Sequence, residues 1–447
     1  VRPEASGLLE AARLAGAVEA ELFSKRGRGR KIVLEPALRP GEPPIRTVST
    51  WEEEGAALRV VDSGGRRGFA WIGLPPAERS GGPLLEAALA SARHDPGAFA
   101  SGTRPLGPDP RIVPDRPDLR LDDPESMALP AERIASLLLD AVADAAAGKS
   151  GAAVDRIALS EAETTVAIAN SRGFRGRYTK SLAFLSLALI PEEPGAAPVV
   201  EERSACRLAD LDARDCVREA LRRAGPARTP LPAGEETAPW LLSPRASATL
   251  LAGVTPWLLS GETGIWKGCP LRIADDPTLP GRPGSAPFDG AGYETRKTIL
   301  VENGALAGRL TEQGGNSIRP SYRDLPVIGP AGLLILPGGQ DSGEEDANGP
   351  AGPDSLALRV AAIEIAPGPS WTLRLGRADW WRGGQAIGAA DGLIWEGPIA
   401  TVLRGATAAG SRLRFYHCGA PIGVPALRLD GLAPLRVGAP GRSAHRV

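Results

Sequence analysis

"GRPGSAPFDGAGYETRKTILVENGALAG", residues Gly281 to Gly308, joins two kinds of backbone. Its first half is glycine, proline and small polar residues, which specify a loop because Gly reaches φ values closed to other residues and Pro fixes its own. Its second half, from Thr295 to Asn303, suits a β-strand, and Asn303-Gly304 closes it as a tight-turn pair. A loop this polar, directly ahead of a strand, poses the question of what it docks against.

Upstream of the loop a linker, "PARTPLPAGEETAP" (226–239), marks the main boundary. Beyond it only Ser243 to about Ser260 has a helical pattern. The rest alternates Gly/Pro turns with short apolar runs such as "AGLLILPG", "SLALRVAAIEIAPG" and "GLIWEGPIATVLRG". This predicts an antiparallel β-rich domain over 240–447, with "PGGQDSGEEDANGPAGPD" (337–354) as a long polar loop. Residues 127–225 read as helix, strands, helix. "PAERIASLLLDAVADAAAG" and "RLADLDARDCVREALRRAG" are the helices, and three strand-like runs lie between them, with Asn170-Ser171-Arg172-Gly173 at the first turn. A proline-rich connector (104–126) separates this region from 1–103. There an opening helix precedes strands, a hairpin around Asp62-Ser63-Gly64-Gly65 and the helix "PLLEAALASARHD". The basic run "KRGRGRK" (25–31) reads as a solvated hairpin tip. The fold class is therefore α+β: an N-terminal α/β region followed by a β-rich antiparallel C-terminal domain.

Composition narrows the function. The 447 residues carry 52 Lys and Arg against 53 Asp and Glu, without the basic excess that a nucleic-acid binder gathers on one face. No run approaches the roughly 18 consecutive apolar residues of a membrane span, and the opening residues lack a signal-peptide core. The four cysteines, Cys206, Cys216, Cys269 and Cys418, form no CxxC pair and suggest neither a disulfide scaffold nor a zinc ribbon. These features favour a reduced, cytoplasmic protein with no nucleic-acid or membrane partner.

Only three histidines occur: His94, His417 and His445. A mononuclear catalytic zinc site takes three protein ligands, commonly His-rich, and no such set is visible. GxSxG, Walker A and HExxH patterns are missing as well. His417 beside Cys418 is the remaining reactive candidate, either as a nucleophile pair or as half of a metal site. Neighbours on a strand point to opposite faces, which works against that pairing.

The opening loop, taken with its flanks, resembles the TldD/PmbA family. That family carries a Gly-Ser-x-Pro-Phe-Asp-x-x-Gly loop, a Thr-Arg segment and a strand ending in an Asn-Gly turn. The matching residues are Gly284, Ser285, Pro287, Phe288, Asp289, Gly292, Thr295, Arg296, Asn303 and Gly304. Asn170, Ser171 and Gly173 match its Asn-Ser-x-Gly hairpin, and "GAALRVVDSGGRRGFAWIG" and "CGAPIGVPALRLDGL" match its first strand pair and closing strand. Beyond Gly315 the chain departs from the pattern, as where "TVLRGATAAGS" replaces a more regular Thr-Ile-Ala-Gly-Asn run.

In this family one subunit type binds zinc on a helix with histidines flanking a Glu and cleaves peptides. The other type, TldE/PmbA-like, lacks that helix and pairs with the first. The zinc helix is expected between the linker and the Asp275-Asp276-Pro277 loop, where this chain has "PWLLSPRASATLLAGVTPWLLSGETG" and no histidine. The resemblance thus implies a TldE/PmbA-like subunit with no cofactor or catalytic residues of its own. It also implies zinc in a TldD-like partner, and unfolded or small peptides as substrate. The motif loop is then expected beside the subunit interface, with Asp289 and Arg296 ordering its turn; alternatively Pro287, Phe288 and Gly292 simply specify the bend. The reading from another class is a stand-alone peptide-binding or scaffold protein.

Overall fold

The computed structural model describes residues 3–37, 43–73, 81–95, 106–109, 113, 116–146, 152–192, 198–224, 238–337, 356–368, 370–382, 385–390, 393–408, 412–432 and 436–437. Most of the 226–239 linker, the polar loop from 338 to 355, residues 104, 105, 110–112, 114 and 115 of the connector and His445 lie outside the described residues.

Six strands build the first sheet: β1 (Ala17–Glu35), β2 (Ile45–Asp62), β3 (Arg67–Gly73), β4 (Ala152–Asn170), β5 (Arg175–Pro191) and β6 (Val199–Ala205). They lie in the order β3-β2-β1-β4-β5-β6, antiparallel throughout, so regions 1–103 and 127–225 share one sheet through the β1–β4 ladder. Side chains alternate between its two faces. On the front face, α1 (Pro3–Leu14) and α2 (Gly82–Arg93) cover one end through Leu9, Ala12, Leu84 and Ala88. At the other end α4 (Ala131–Ala146) and α5 (Ala213–Ala224) pack Ile134, Leu138, Val217 and Ala220 on Ile32, Leu34, Leu185 and Leu187. The short α3 (Pro124–Ala128) precedes α4.

Two sequence expectations are corrected here. The run Lys25–Lys31 is no hairpin tip; it is the middle of β1, the strand between β2 and β4. Three of its five charges are compensated across the ladders: Arg26 lies 3.8 Å from Glu54, Arg28 3.2 Å from Glu163 and Arg30 2.8 Å from Glu161. Gly27 and Gly29 leave room for the Trp51 ring, which a Cβ at Gly29 would meet at 2.6 Å. Between Val154 and Pro191 there are two long strands rather than three runs, because no turn residue interrupts Arg175–Pro191; the next strand, β6, starts at Val199.

The C-terminal part is β-rich, as its composition implies. One sheet runs β10 (Ala305–Leu306), β9 (Thr298–Glu302), β8 (Ile273–Asp275), β13 (Leu333–Ile335), β20 (Pro421–Val424), β19 (Arg414–His417). A larger one runs β18 (Ala406–Ala408), β21 (Leu427–Leu429), β7 (Trp240–Leu242), β14 (Leu356–Ala366), β15 (Trp371–Arg382), β17 (Leu393–Gly397), β22 (Arg436–Val437), with β16 (Gln385–Ala389) also on β15. β11 (Ser317–Ile318) and β12 (Val327–Ile328) form a small hairpin. Helix α6 (Pro244–Ser260) touches β14 of the larger sheet and β20 of the smaller one, joining both in a single apolar core. The Ser243 hydroxyl caps it by accepting from the Ala246 N–H at 3.2 Å, and Gly261 ends it at φ +74°.

"GLIWEGPIATVLRG", read above as a β run, splits into β17 and the helix α7 (Ile399–Arg404). Pro398 fixes the approach to the helix, and Ile399, Val402 and Leu403 recur at helical spacing to reach the core.

Candidate functional site

The motif loop docks on the back of the first sheet. Phe288, fully buried, meets Phe174 edge-on with centroids 5.9 Å apart and Tyr178 at 5.0 Å, and Phe23 and Ile168 complete the cluster. Gly176 on β5 makes the seat, since a Cβ there would lie 2.7 Å from the Phe288 ring. Burying a phenyl group in such a seat contributes roughly 1.5–3 kcal/mol. The loop is therefore a plug from the C-terminal part into the N-terminal sheet.

Around that plug nearly every polar group is satisfied internally. Asp289 Oδ1 accepts from the Ala291 and Tyr293 amides at 2.9 Å each, and Oδ2 from the Ser317 amide at 2.9 Å. Burial pushes its pKa up to about 6 against the pull of those three donors. The Ser285 hydroxyl donates to the Leu279 carbonyl and the Thr295 hydroxyl to the Ala286 carbonyl. Gly284 passes so near β13 that a Cβ would stand 2.1 Å from the Ala331 carbonyl oxygen, and Gly292 turns at φ +90°. Lys180 on β5 reaches across to donate to the Pro283 and Ser285 carbonyls, and burial holds its pKa below the usual lysine range.

Asn170 is the matching pivot on the sheet. Its Nδ2 donates to the Leu106 and Pro108 carbonyls, both at 3.0 Å, while Oδ1 accepts from Arg172 N at 3.1 Å and Phe174 N at 2.9 Å. Ser171 exchanges two bonds with Ala20, its Oγ accepting from the Ala20 amide at 2.9 Å and its own amide donating to the Ala20 carbonyl at 2.8 Å. Gly173 completes the turn at φ +100°. Asn303 (φ 52°) and Gly304 (φ 75°) form the β9–β10 turn, whose left-handed backbone these two residue types tolerate.

The structure thus gathers Asn170, Ser171, Gly173, Gly284, Ser285, Pro287, Phe288, Asp289, Gly292 and Thr295 at one intramolecular joint. Arg296 departs from its expected role: it is exposed and makes no ion pair or hydrogen bond among the described residues, so Asp289 alone orders the turn. Asn303 and Gly304 lie apart, at the far end of β9.

Several residues of the joint gave no local signal, because their partners are distant in the chain. Glu21 of β1, wholly buried, accepts from Arg59 at 2.9 Å and from Arg319 at 3.0 Å, and Arg319 also lies 4.0 Å above the Phe23 ring. Burial lowers the Arg319 pKa to about 10. Asp275, also fully buried, accepts from Gly332 N at 2.7 Å and Asn316 Nδ2 at 3.2 Å, and burial raises its pKa to about 6. A second joint binds β6 to β19: Glu201 accepts from Arg203, Arg223 and Tyr416, while Asp215 accepts from Arg203 at 3.2 Å and Arg414 at 3.1 Å.

His417 and Cys418 do not form a reactive pair. His417 is exposed at the end of β19, whereas the Cys418 side chain packs against the core and burial raises its thiol pKa, opposing a thiolate. Among the described residues no group of three or more His, Cys, Asp or Glu is arranged to hold a metal ion. The α6 segment, where the resemblance expects the zinc helix, contributes Ala246, Ala248, Leu250, Leu251, Val254 and Leu258 to the core and has no His, Glu, Asp or Cys. The donor set does not fit a zinc site. On the front of the first sheet a cavity of about 790 Å³ opens between the helix pairs, lined by Arg26, Arg28, Glu54, Glu163, Thr165 and Arg177.

A fold of a six-stranded sheet plugged by a glycine-rich loop from a β-rich C-terminal half defines a class. Residues 124–225 match the PmbA/TldA metallopeptidase central domain and residues 268–434 the PmbA/TldA metallopeptidase C-terminal domain, together more than half of the chain. The chain belongs to the PmbA/TldD family. Its fold is similar to that of TldE from Thermococcus kodakarensis, with 18% identity over 97% of this chain and 99% of that one and a TM-score of 0.78. A putative modulator of a DNA gyrase from Thermotoga maritima MSB8 aligns with 16% identity, 97% and 99% coverage and a TM-score of 0.73. Another putative modulator of DNA gyrase, from Bacteroides thetaiotaomicron VPI-5482, gives 16%, 96% and 97%, and 0.72. No curated protein matches the sequence. No helix among the described residues is long and apolar enough to cross a membrane.

Proposed function

We propose that this chain is the non-catalytic, metal-free subunit of a heteromeric TldD/TldE-type zinc metallopeptidase that degrades or trims peptides in the cytoplasm. Zinc and the catalytic groups belong to a histidine-bearing, TldD-like partner. The observation that carries this reading is α6, a helix at the family's zinc position whose side chains are core hydrophobes and which offers no ligand. Likeness to a TldE supports it. The chain's part is to complete the enclosure around the partner's site, and its own rigid plug keeps its two halves in fixed register for that purpose.

The test is reconstitution. The chain is purified alone and together with a histidine-bearing relative, and hydrolysis of an unstructured peptide is followed. The expected result is no cleavage by the chain alone and faster cleavage by the pair than by the relative alone. A pair no faster than the relative would refute the role. The second reading, a stand-alone peptide-binding protein, draws on the 790 Å³ cavity, whose apolar and charged walls suit an amphipathic peptide. Peptide binding by the chain in the absence of any such partner would favour it.

A further inference from the structure

Beside the joint that binds β6 to β19 lies a cleft of about 500 Å³, bounded by β6, the start of α5, β19 and, where the motif loop begins, Pro280 and Arg282. Five arginines line this cleft against three aspartates. Three of the arginines have carboxylate partners at the joint. Arg203 lies 3.2 Å from Asp215, Arg414 3.1 Å from the same group and Arg412 3.9 Å from Asp212. Arg120 and Arg282 are held differently.

The Arg282 side chain makes no ion pair or hydrogen bond among the described residues; its guanidinium carbon lies 4.4 Å from the centre of the Phe415 ring. A guanidinium lying over a ring leaves the N–H donors along its edge available to an acceptor. Burial, with a smaller push from the neighbouring Arg120 charge, holds the Arg282 pKa below the usual arginine range even though Asp210 pulls it up. Arg120 is itself paired with Asp210 at 3.3 Å, and its side chain is 50% exposed. Its backbone is left-handed, at φ 47° and ψ 49°. Among the described residues the only other non-glycine at positive φ is Asn303, and asparagine tolerates that region where arginine gains nothing from it. Glycine would serve the turn better, so the residue type at 120 answers to its side chain, which lines the cleft.

We propose that Arg120 and Arg282 form a carboxylate-binding site and that its ligand is the free C-terminal carboxylate of a peptide. The choice of a peptide rests on the peptidase reading above. Two planar guanidinium groups suit the two coplanar oxygens of a carboxylate, and the arginines of the lining outnumber its aspartates. An incoming carboxylate takes the free edge of Arg282 and shares Arg120 with Asp210, since a half-exposed ion pair is weak enough to be shared. The cleft is also much larger than one carboxylate. Leu211, Leu413 and Phe415 add apolar lining, which suits the side chain of a terminal residue and gives nothing to a bare inorganic anion.

The test uses the full chain by itself, without zinc or partner, so a failure to bind leaves the reconstituted cleavage experiment untouched. Acetylated tetra-alanyl-leucine with a free C-terminal carboxylate is titrated into the chain at low ionic strength and followed by calorimetry, beside the same peptide as its C-terminal amide. The acid is expected to bind at least about tenfold more tightly than the amide. Arg282→Gln lowers the affinity for the acid at least about tenfold and leaves that for the amide unchanged. Arg120→Gly weakens the acid likewise without lowering the thermal transition, because glycine accepts φ 47° freely; a merely structural arginine would not separate the two readouts. No binding of the acid, or equal binding of acid and amide, overturns the proposal. So does parent affinity in both variants, which places the carboxylate elsewhere on the chain. Displacement of the acid by an equal concentration of inorganic phosphate also overturns it and gives the cleft to free anions.

Discussion

The plug at Pro287–Tyr293 and the helix α6 are both parts of the C-terminal half that a family resemblance marks as special, and their fates differ. The plug retains its motif residues and uses them inside the chain. Asp289, Ser285 and Thr295 all direct their side chains at neighbouring backbone, and Phe288 fills a seat in the first sheet. Helix α6 lies where the resemblance leads one to expect a zinc helix, and it gives the core Ala246, Ala248, Leu250, Leu251, Val254 and Leu258. The difference teaches that two segments marked by one family resemblance serve the fold in different ways, one as a polar plug and one as an apolar core helix. The plug answers the opening question: the polar loop docks against its own chain.

Substitutions can break or sharpen that comparison. Phe288→Ala empties the seat beside Phe174 and Tyr178 and is expected to cost about 3–5 kcal/mol in denaturant unfolding, with the two halves separating into distinct transitions. A single, unshifted transition would deny the plug its role. Leu251→Ala in α6 is expected to cost about 2–5 kcal/mol, as for any core leucine, while metal content and partner activity per folded molecule stay unchanged. Loss of activity at unchanged stability would give α6 a chemical duty.

Asn170→Ala removes the two bonds that Nδ2 donates and the two that Oδ1 accepts. It should cost about 1–3 kcal/mol, because the Leu106 and Pro108 carbonyls are left without that donor. The pH dependence is the finer probe. Asp275 and Asp289 have pKa values raised to about 6 in the folded chain, against an unfolded value near 4. Between those values the unfolded state binds fewer protons, so their contribution is greatest below about pH 4 and is lost as pH rises through 6. Stability of Asp275→Asn, followed by thermal unfolding from pH 4 to 7, should therefore show a shallower decline than the parent; an equal or steeper decline would contradict the burial argument. The smallest effect is reserved for Arg296→Ala, within about 0.5 kcal/mol, since the side chain is exposed.

Much of this fold was legible because it is local. Helical spacing marked α1, α2, α4, α5 and α6, and turn chemistry marked Asp62–Gly65, Asn170–Gly173 and Asn303-Gly304. Glycines and prolines marked the plug as a loop. What the chain could not disclose lies in partners far apart in sequence. The basic run in β1 looks like a solvated tip until Glu54, Glu161 and Glu163 arrive beside it on neighbouring strands. Glu21 meets Arg59 across the β1–β2 ladder, and Arg319 joins them from the C-terminal half, almost 300 residues away. Helix α7 escaped notice because six residues are too few for periodicity to separate helix from strand. For the candidate site, the resemblance pointed to residues most of whose side chains the structure turns inward, whereas Arg296 is exposed and Asn303-Gly304 lie apart in the β9–β10 turn.

The central claim is that this chain holds no zinc of its own. Its most direct test is the zinc content of the chain, expressed without a metal-binding tag and without partner, measured by elemental mass spectrometry. The account predicts zinc far below one equivalent. About one tightly held zinc per chain would contradict it and make the chain an enzyme in its own right.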